Sequence, residues 1–170
     1  MATIAAALFT LATDSVVCSE LPGIYTHARN FNEAMGTADP LTQESLLVNL
    51  YARLHTAGSL YSPSERMLLS RRDGYSCYAG GLAPLLKAEP FITPDSVVVD
   101  LGAGNGLQGL LLQCISPHRK TLQVELSSEM IRIGRIFQGA LGISADGVEW
   151  IHDDIINVSV EPADIVYLYR

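Results

Sequence analysis

The sequence predicts an α/β fold, a parallel sheet with helical crossovers, preceded by an all-helical region. Three observations carry this. Val97-Val98-Val99-Asp100-Leu101 is a short apolar run of strand formers, and glycine follows at every second position, Gly102, Gly104 and Gly106. From residue 97 onward strand-like and helix-like segments alternate, which argues for β-α-β units with right-handed crossovers. The first ninety or so residues contain no strand signal of comparable strength. The expected division is a helical N-terminal region over 1–92 and a sheet-containing region over 93–170.

The helical region opens with an Ala-rich segment expected to end near Leu21-Pro22-Gly23. Asp39-Pro40 reads as an N-cap with proline in the first turn. An apolar stripe of Leu46, Leu47, Leu50, Tyr51 and Leu54 follows, closed by Gly58. Ser62-Pro63-Ser64-Glu65 is a capping box, and the helix it opens should stop at Asp73-Gly74. Arg66, Arg71 and Arg72 decorate that helix as a solvated face. An irregular connector, Tyr75 to Gly81, leads into a short apolar helix through Leu82, Leu85 and Leu86.

In the sheet region the expected strands are Val97–Leu101, Thr121–Leu126, Val148–His152 and Ala163–Tyr169. The first crossover helix carries Leu107, Leu110, Leu111, Leu112 and Ile115 until Pro117 stops it. The second starts at a Ser127 or Ser128 cap, carries Met130, Ile131, Ile133, Ile136 and Phe137, and ends within Gly139 to Gly142.

Composition narrows the function classes. A chain of 170 residues suits one domain, or one domain with an appendage. The net charge of −7 argues against a general polyanion binder, so nucleic acid is not an expected partner. Cys18, Cys77 and Cys114 are odd in number and form no CxxC, so neither a disulfide framework nor a metal site is expected. Ile4–Ala12 is apolar, but no Lys or Arg precedes it and it is too short to span a bilayer. It reads as a buried helix, with no membrane association and a cytoplasmic location expected.

Acids fall at or beside three strand ends: Asp100, Glu125 and the pair Asp153-Asp154. In a parallel sheet these ends share the edge where ligands of such folds bind. Glu125 follows the glycine turn by about twenty residues, the usual distance for a carboxylate that takes a ribose diol. Two carboxylate oxygens match two neighbouring hydroxyls. Asp154, or the backbone beside it, could accept from an exocyclic amine such as adenine N6. Any one of these acids taken alone is more simply a cap or a solvated loop residue.

Val99-Asp100-Leu101-Gly102-Ala103-Gly104-Asn105-Gly106 resembles the first motif of class I S-adenosylmethionine-dependent methyltransferases. Val124-Glu125-Leu126-Ser127 is similar to their ribose-binding motif, and Val148 to Ile155 to the segment with the adenine-side acid. There Asp154 takes the acid's place, and Asp153 stands where glycine is common. Pro162 to Tyr169 looks like the fourth strand, introduced by Ala163-Asp164. The resemblance covers roughly residues 93 to 170 and implies a Rossmann-like sheet of order 3-2-1-4, with S-adenosyl-L-methionine as cofactor. It implies that Gly102, Ala103, Gly104 and Gly106 line the methionine and ribose part, with Asp100 near the methionine amino group. Glu125 would hold the ribose hydroxyls and Leu126 would pack on the adenine.

The acceptor and any catalytic base are not named by the sequence. The fourth strand lacks the Asn/Asp-Pro-Pro-Tyr of nitrogen-base methylases, and no metal-ligand acid follows it. Tyr75, Tyr78 and Tyr169 are the candidates for the substrate side, under a helical region that would act as a cap, and packing is the simpler account of Tyr75 and Tyr78. His27, His55, His118 and His152 share no motif. Two other readings stand beside methyl transfer: a non-catalytic module keeping the fold, and a nicotinamide-dependent oxidoreductase, because Gly104 to Gly109 is literally GxGxxG. In that fingerprint the first glycine directly follows the strand, whereas here Asp100-Leu101-Gly102-Ala103 intervenes. The resemblance also implies strands beyond the four seen. The expectation is therefore either a longer parent protein or a partner covering Ile165 and Val166, including self-association through the fourth strand.

Overall fold

The computed structural model describes residues 2–55, 62–71, 81–161 and 163–168, with backbone alone for 68–71. Tyr75, Tyr78 and Tyr169 lie outside these residues, as do the helix ends expected at Gly58 and at Asp73-Gly74. The helical half comprises α1 (Ala2–Thr13), α2 (Ser15–Glu20), α3 (Ile24–Ala34), α4 (Pro40–His55), α5 (Pro63–Arg71) and α6 (Ala83–Ala88). The remainder is β1 (Val97–Leu101), α7 (Leu107–Ile115), β2 (Lys120–Glu125), α8 (Ser128–Ala140), β3 (Val148–His152) and β4 (Ile165–Leu168).

Local chemistry accounts for most boundaries. Asp39 caps α4, accepting from Leu41 N at 3.0 Å and Thr42 N at 3.2 Å. The capping box of α5 closes in both directions: Ser62 N donates to Glu65 Oε2 at 2.6 Å, and Glu65 N donates to Ser62 Oγ at 3.2 Å. Ser127 caps α8 and accepts from Met130 N. The Ala-rich opening does not run unbroken to Leu21. Asp14 turns extended and its carboxylate accepts from Val16 N and Val17 N, so a second helix begins where the apolar pattern suggests continuation.

The sheet is wholly parallel, in the order β3-β2-β1-β4. This is the expected order, with β1 central and β4 at an edge. Asp164 fixes the start of β4, since its carboxylate accepts from Val97 N at 2.7 Å and its own N–H donates to Val97 O at 2.9 Å.

Alternation along β1 divides the core between the two faces of the sheet. Val98 joins a cluster formed by Leu107, Leu110, Leu111 and Leu112 of α7, Ile133 and Phe137 of α8, and the buried sides of α1, α3 and α4. Ile4, Leu8, Leu11 and Ala12 of α1 are fully buried there, as the sequence pattern anticipated. Val97 and Val99 face the other way with Leu122 and Val124, covered in part by Val158 and Ala163. Among the described residues no helix is long and apolar enough to cross a membrane.

Glycines let α7 and α8 approach the sheet and each other. A Cβ on Gly109 would come within 2.5 Å of Gln123 Nε2, and one on Gly134 within 2.1 Å of the Trp150 ring. Gly109 is thus a packing position on the sheet side of α7. Trp150 is held in its slot by a 2.8 Å hydrogen bond from Nε1 to Gln138 Oε1.

Candidate functional site

The site grows out of the connection from β1 to α7. Gly102, Gly104 and Gly106 have φ of +77°, +59° and +67°, a conformation L side chains rarely adopt. The turn is fastened to the end of β2: Gly102 N and Ala103 N both donate to Val124 O at 2.9 Å. Gly106 N donates to Ala103 O at 2.8 Å, closing the turn as α7 begins. A Cβ placed on Gly102 would meet nothing within 4 Å, so a ligand can approach the backbone there. At Gly106 a Cβ would lie 2.3 Å from the Trp150 ring, so that glycine serves close packing.

Glu125 is 3% exposed and organises the turn. Its Oε2 accepts from Gly104 N at 2.7 Å and its Oε1 from Ser127 N at 2.8 Å. The carboxylate that ends β2 therefore braces the glycine turn on one side and the start of α8 on the other. Asp100, on the same face of the sheet one strand away, is also buried. Burial pushes its carboxyl up to about 7, and the negative charge of Glu125 pushes in the same direction. Tyr167 pairs with Asp100 across the β1–β4 ladder and donates from Oη to Pro84 O at 2.8 Å. Burial and the nearby Asp100 push that phenol up to about 12.

The remaining expected residues fall along the same sheet edge. Leu126 is half-buried, and His152 Nε2 donates to its carbonyl at 2.9 Å. Asp153 is exposed and accepts from Asp154 N and Asn157 Nδ2. Asp154 is half-buried and caps the 3-10 turn Ile155–Asn157, accepting from Ile156 N at 3.2 Å. The structure thus brings Asp100, Gly104, Gly106 and Glu125 into one buried unit, with Gly102 exposed beside it. Asp153 and Asp154 form a separate capped turn beyond β3.

Other residues at the turn were not singled out by the sequence reading. Asn105 is 1% exposed, and its Nδ2 donates to Leu54 O at 2.7 Å and to His55 O at 3.3 Å. It thereby caps α4 with the turn itself. Gln108 Nε2 donates to Tyr51 Oη at 2.9 Å, and Gln123 Nε2 donates to Gly106 O at 3.0 Å. The available signal was polarity at positions that a crossover helix and a central strand would bury. Glu65 of the α5 capping box is half-buried; burial would raise its carboxyl, but the hydrogen bonds with Ser62, together with Ser127 and the charge of His152, hold it below the usual range. Among the described residues no group of three His, Cys, Asp or Glu could hold a metal ion.

No family model matches the chain, and no curated protein matches it. Solved structures do. An RNA methyltransferase from Salinibacter ruber in complex with S-adenosyl-L-homocysteine is 21% identical, with a TM-score of 0.43 over 50% of this chain and 54% of that one. A SAM-dependent methyltransferase from Thiobacillus denitrificans, also with S-adenosyl-L-homocysteine, is 27% identical, with a TM-score of 0.43 over 50% of this chain and 34% of that one. A mutant of MtNAS in complex with S-adenosylmethionine is 21% identical, with a TM-score of 0.44 over 94% of this chain and 60% of that one. The chain thus spans between about a third and three fifths of the length of these proteins.

Proposed function

We propose that the chain carries the cofactor site of an S-adenosylmethionine-dependent methyltransferase whose acceptor is unidentified. The observation that carries this reading is Glu125, buried at the end of β2 and locked to the glycine turn through Gly104 N. A carboxylate so held has its orientation already fixed, and its two oxygens match the two hydroxyls of a ribose diol. The residues fit the cofactor in two further respects. Gly102 leaves open space beside its backbone. Glu125 sets a negative charge beneath the turn, and Asp100, pushed up to about 7, can ionise when a cationic group arrives, which suits a ligand bearing a sulfonium and an ammonium.

S-adenosylmethionine, when bound, supplies a methyl group on positive sulfur that leaves by in-line displacement. The part played by this chain is positioning. Gly102 and Gly104 admit the ligand to the backbone, Glu125 fixes its ribose and Leu126 offers an apolar surface to its base. Asp100 meets its ammonium end and is more readily ionised when that charge arrives. The helical region, as a cap, would present the acceptor.

Calorimetry tests the reading. S-adenosylhomocysteine should bind, and Glu125→Ala should weaken it by about 1–3 kcal/mol. Binding of NADH in its place would overturn the assignment in favour of hydride chemistry, since a packed Gly109 serves a dinucleotide turn equally well. Labelled methyl transfer to candidate acceptors by the full-length protein separates an enzyme from a module that binds without turnover.

A further inference from the structure

The glycine turn is gripped from the helical half of the chain as well as from the sheet. Asn105 stands between Gly104 and Gly106, both at positive φ, and is 1% exposed. Its Nδ2 donates at 2.7 Å to Leu54 O and at 3.3 Å to His55 O, in the last turn of α4, where a helix's own ladder supplies no donor. Its Oδ1 accepts from Leu107 N at 3.3 Å, at the start of α7. A primary amide suits this place, since it donates to two carbonyls and accepts from an N–H at once. In the first turn of α7, Gln108 Nε2 donates at 2.9 Å to Oη of Tyr51, one turn before His55 on α4. Tyr51 and Leu54 are both fully buried. On its other side the turn is tied to the end of β2, through Val124 O and the Glu125 carboxylate.

We infer that Asn105 is a positioning residue through which the end of α4 holds the glycine turn in its cofactor-binding conformation, so that the helical half forms part of the cofactor site. The inference rests on the cofactor reading above and extends it to α4. Glycine has the widest backbone freedom of any residue, and glycine at every second position from Gly102 to Gly106 leaves an isolated turn with many conformations. The bonds from Asn105 and Gln108 to α4 remove part of that freedom before a ligand arrives. A ligand that meets a turn already in place gives up less free energy to ordering it. Such coupling is reciprocal, so a ligand that steadies the turn steadies the last turn of α4 in the same measure.

The test is calorimetric affinity for S-adenosylhomocysteine at pH 8 together with amide hydrogen exchange, both on the full chain. Asn105→Ala should weaken binding about tenfold, through the loss of two hydrogen bonds that preorganise the turn. Asn105→Asp keeps an acceptor for Leu107 N but offers α4 no donor, and should weaken binding as much as Asn105→Ala. Tyr51→Phe removes one hydroxyl on α4 and touches no residue of the turn; it should weaken binding about threefold and serves if the Asn105 variants do not fold. Asp14→Ala removes a cap elsewhere in the helical half and should leave the affinity within about twofold. In the wild type, bound S-adenosylhomocysteine should slow exchange at the amides of Tyr51 to His55, and in Asn105→Ala that slowing should be lost. Wild-type affinity in Asn105→Ala, or in Tyr51→Phe where that variant stands in, overturns the inference. Wild-type affinity in Asn105→Asp alone assigns the effect to the start of α7, and equal weakening by Asp14→Ala assigns it to general loss of stability; each overturns it as well. A wild type that binds no S-adenosylhomocysteine overturns the cofactor reading and the inference together. Binding that leaves exchange at the end of α4 unchanged overturns the inference alone.

Discussion

Asp100 shows how one buried residue can cost stability at a proposed ligand site. Its folded carboxyl titrates at about 7 against an ordinary value of 3.8. The folded state therefore holds a proton that the unfolded chain releases between those two values. Stability should fall as pH rises from about 4 to about 7 and level off above, the direction expected when the native state binds more protons. Asp100→Asn should remove this component, giving a flatter profile in urea melts across that window and a more stable protein at pH 8. The same variant should weaken S-adenosylhomocysteine binding at pH 8, where the wild-type carboxylate is charged. Equal pH profiles for the two proteins would show that Asp100 does not titrate there. Asp154 makes the opposite point, since its carboxylate caps a turn. That cap is the plain assignment an acid after a strand has beside a ligand role.

Among the elements, α8 and β3 depend on the Trp150 slot. Gly134→Ala would drive a Cβ to 2.1 Å from the ring and 2.8 Å from Asn105 O, and the backbone oxygen cannot swing aside. The expected cost is about 1–3 kcal/mol in urea denaturation. Pairing it with Trp150→Phe should recover part of that loss by vacating the space. An additive double variant would mean that the ring is not the obstacle. The elements themselves were largely legible in the sequence, because their determinants are local. Three valines before a glycine turn, the Ser62 to Glu65 capping box and the Asp39 cap each act within a few residues. The break at Asp14 was not legible, since apolar residues continue on both sides and one side chain decides it. Nor was the role of Asn105. Its partner Leu54 lies 51 residues away, and only the assembled core brings the end of α4 to the turn.

For the whole molecule, two surfaces of the sheet have different fates. One is covered by helices from both halves of the chain. On the other, β4 forms an edge with Val166 45% and Leu168 61% exposed. An apolar edge of this kind offers unpaired backbone groups to a further strand. We expect concentration-dependent self-association of this chain in sedimentation velocity, reduced by Val166→Lys; a monomer at all concentrations would remove that expectation.

The shared core on the covered face also dictates an order of events during synthesis. Ile4, Leu8 and Leu11 leave the ribosome about a hundred residues before the leucines of α7 and still further ahead of the aromatic ring of Phe137, with which they cluster. Until then the apolar side of the opening helices is covered only in part, by one another. Nascent chains halted before α7 should consequently recruit holdase chaperones, and those extended past α8 should let them go. The glycine turn, packed under the end of α4, would take its final form only at that late moment.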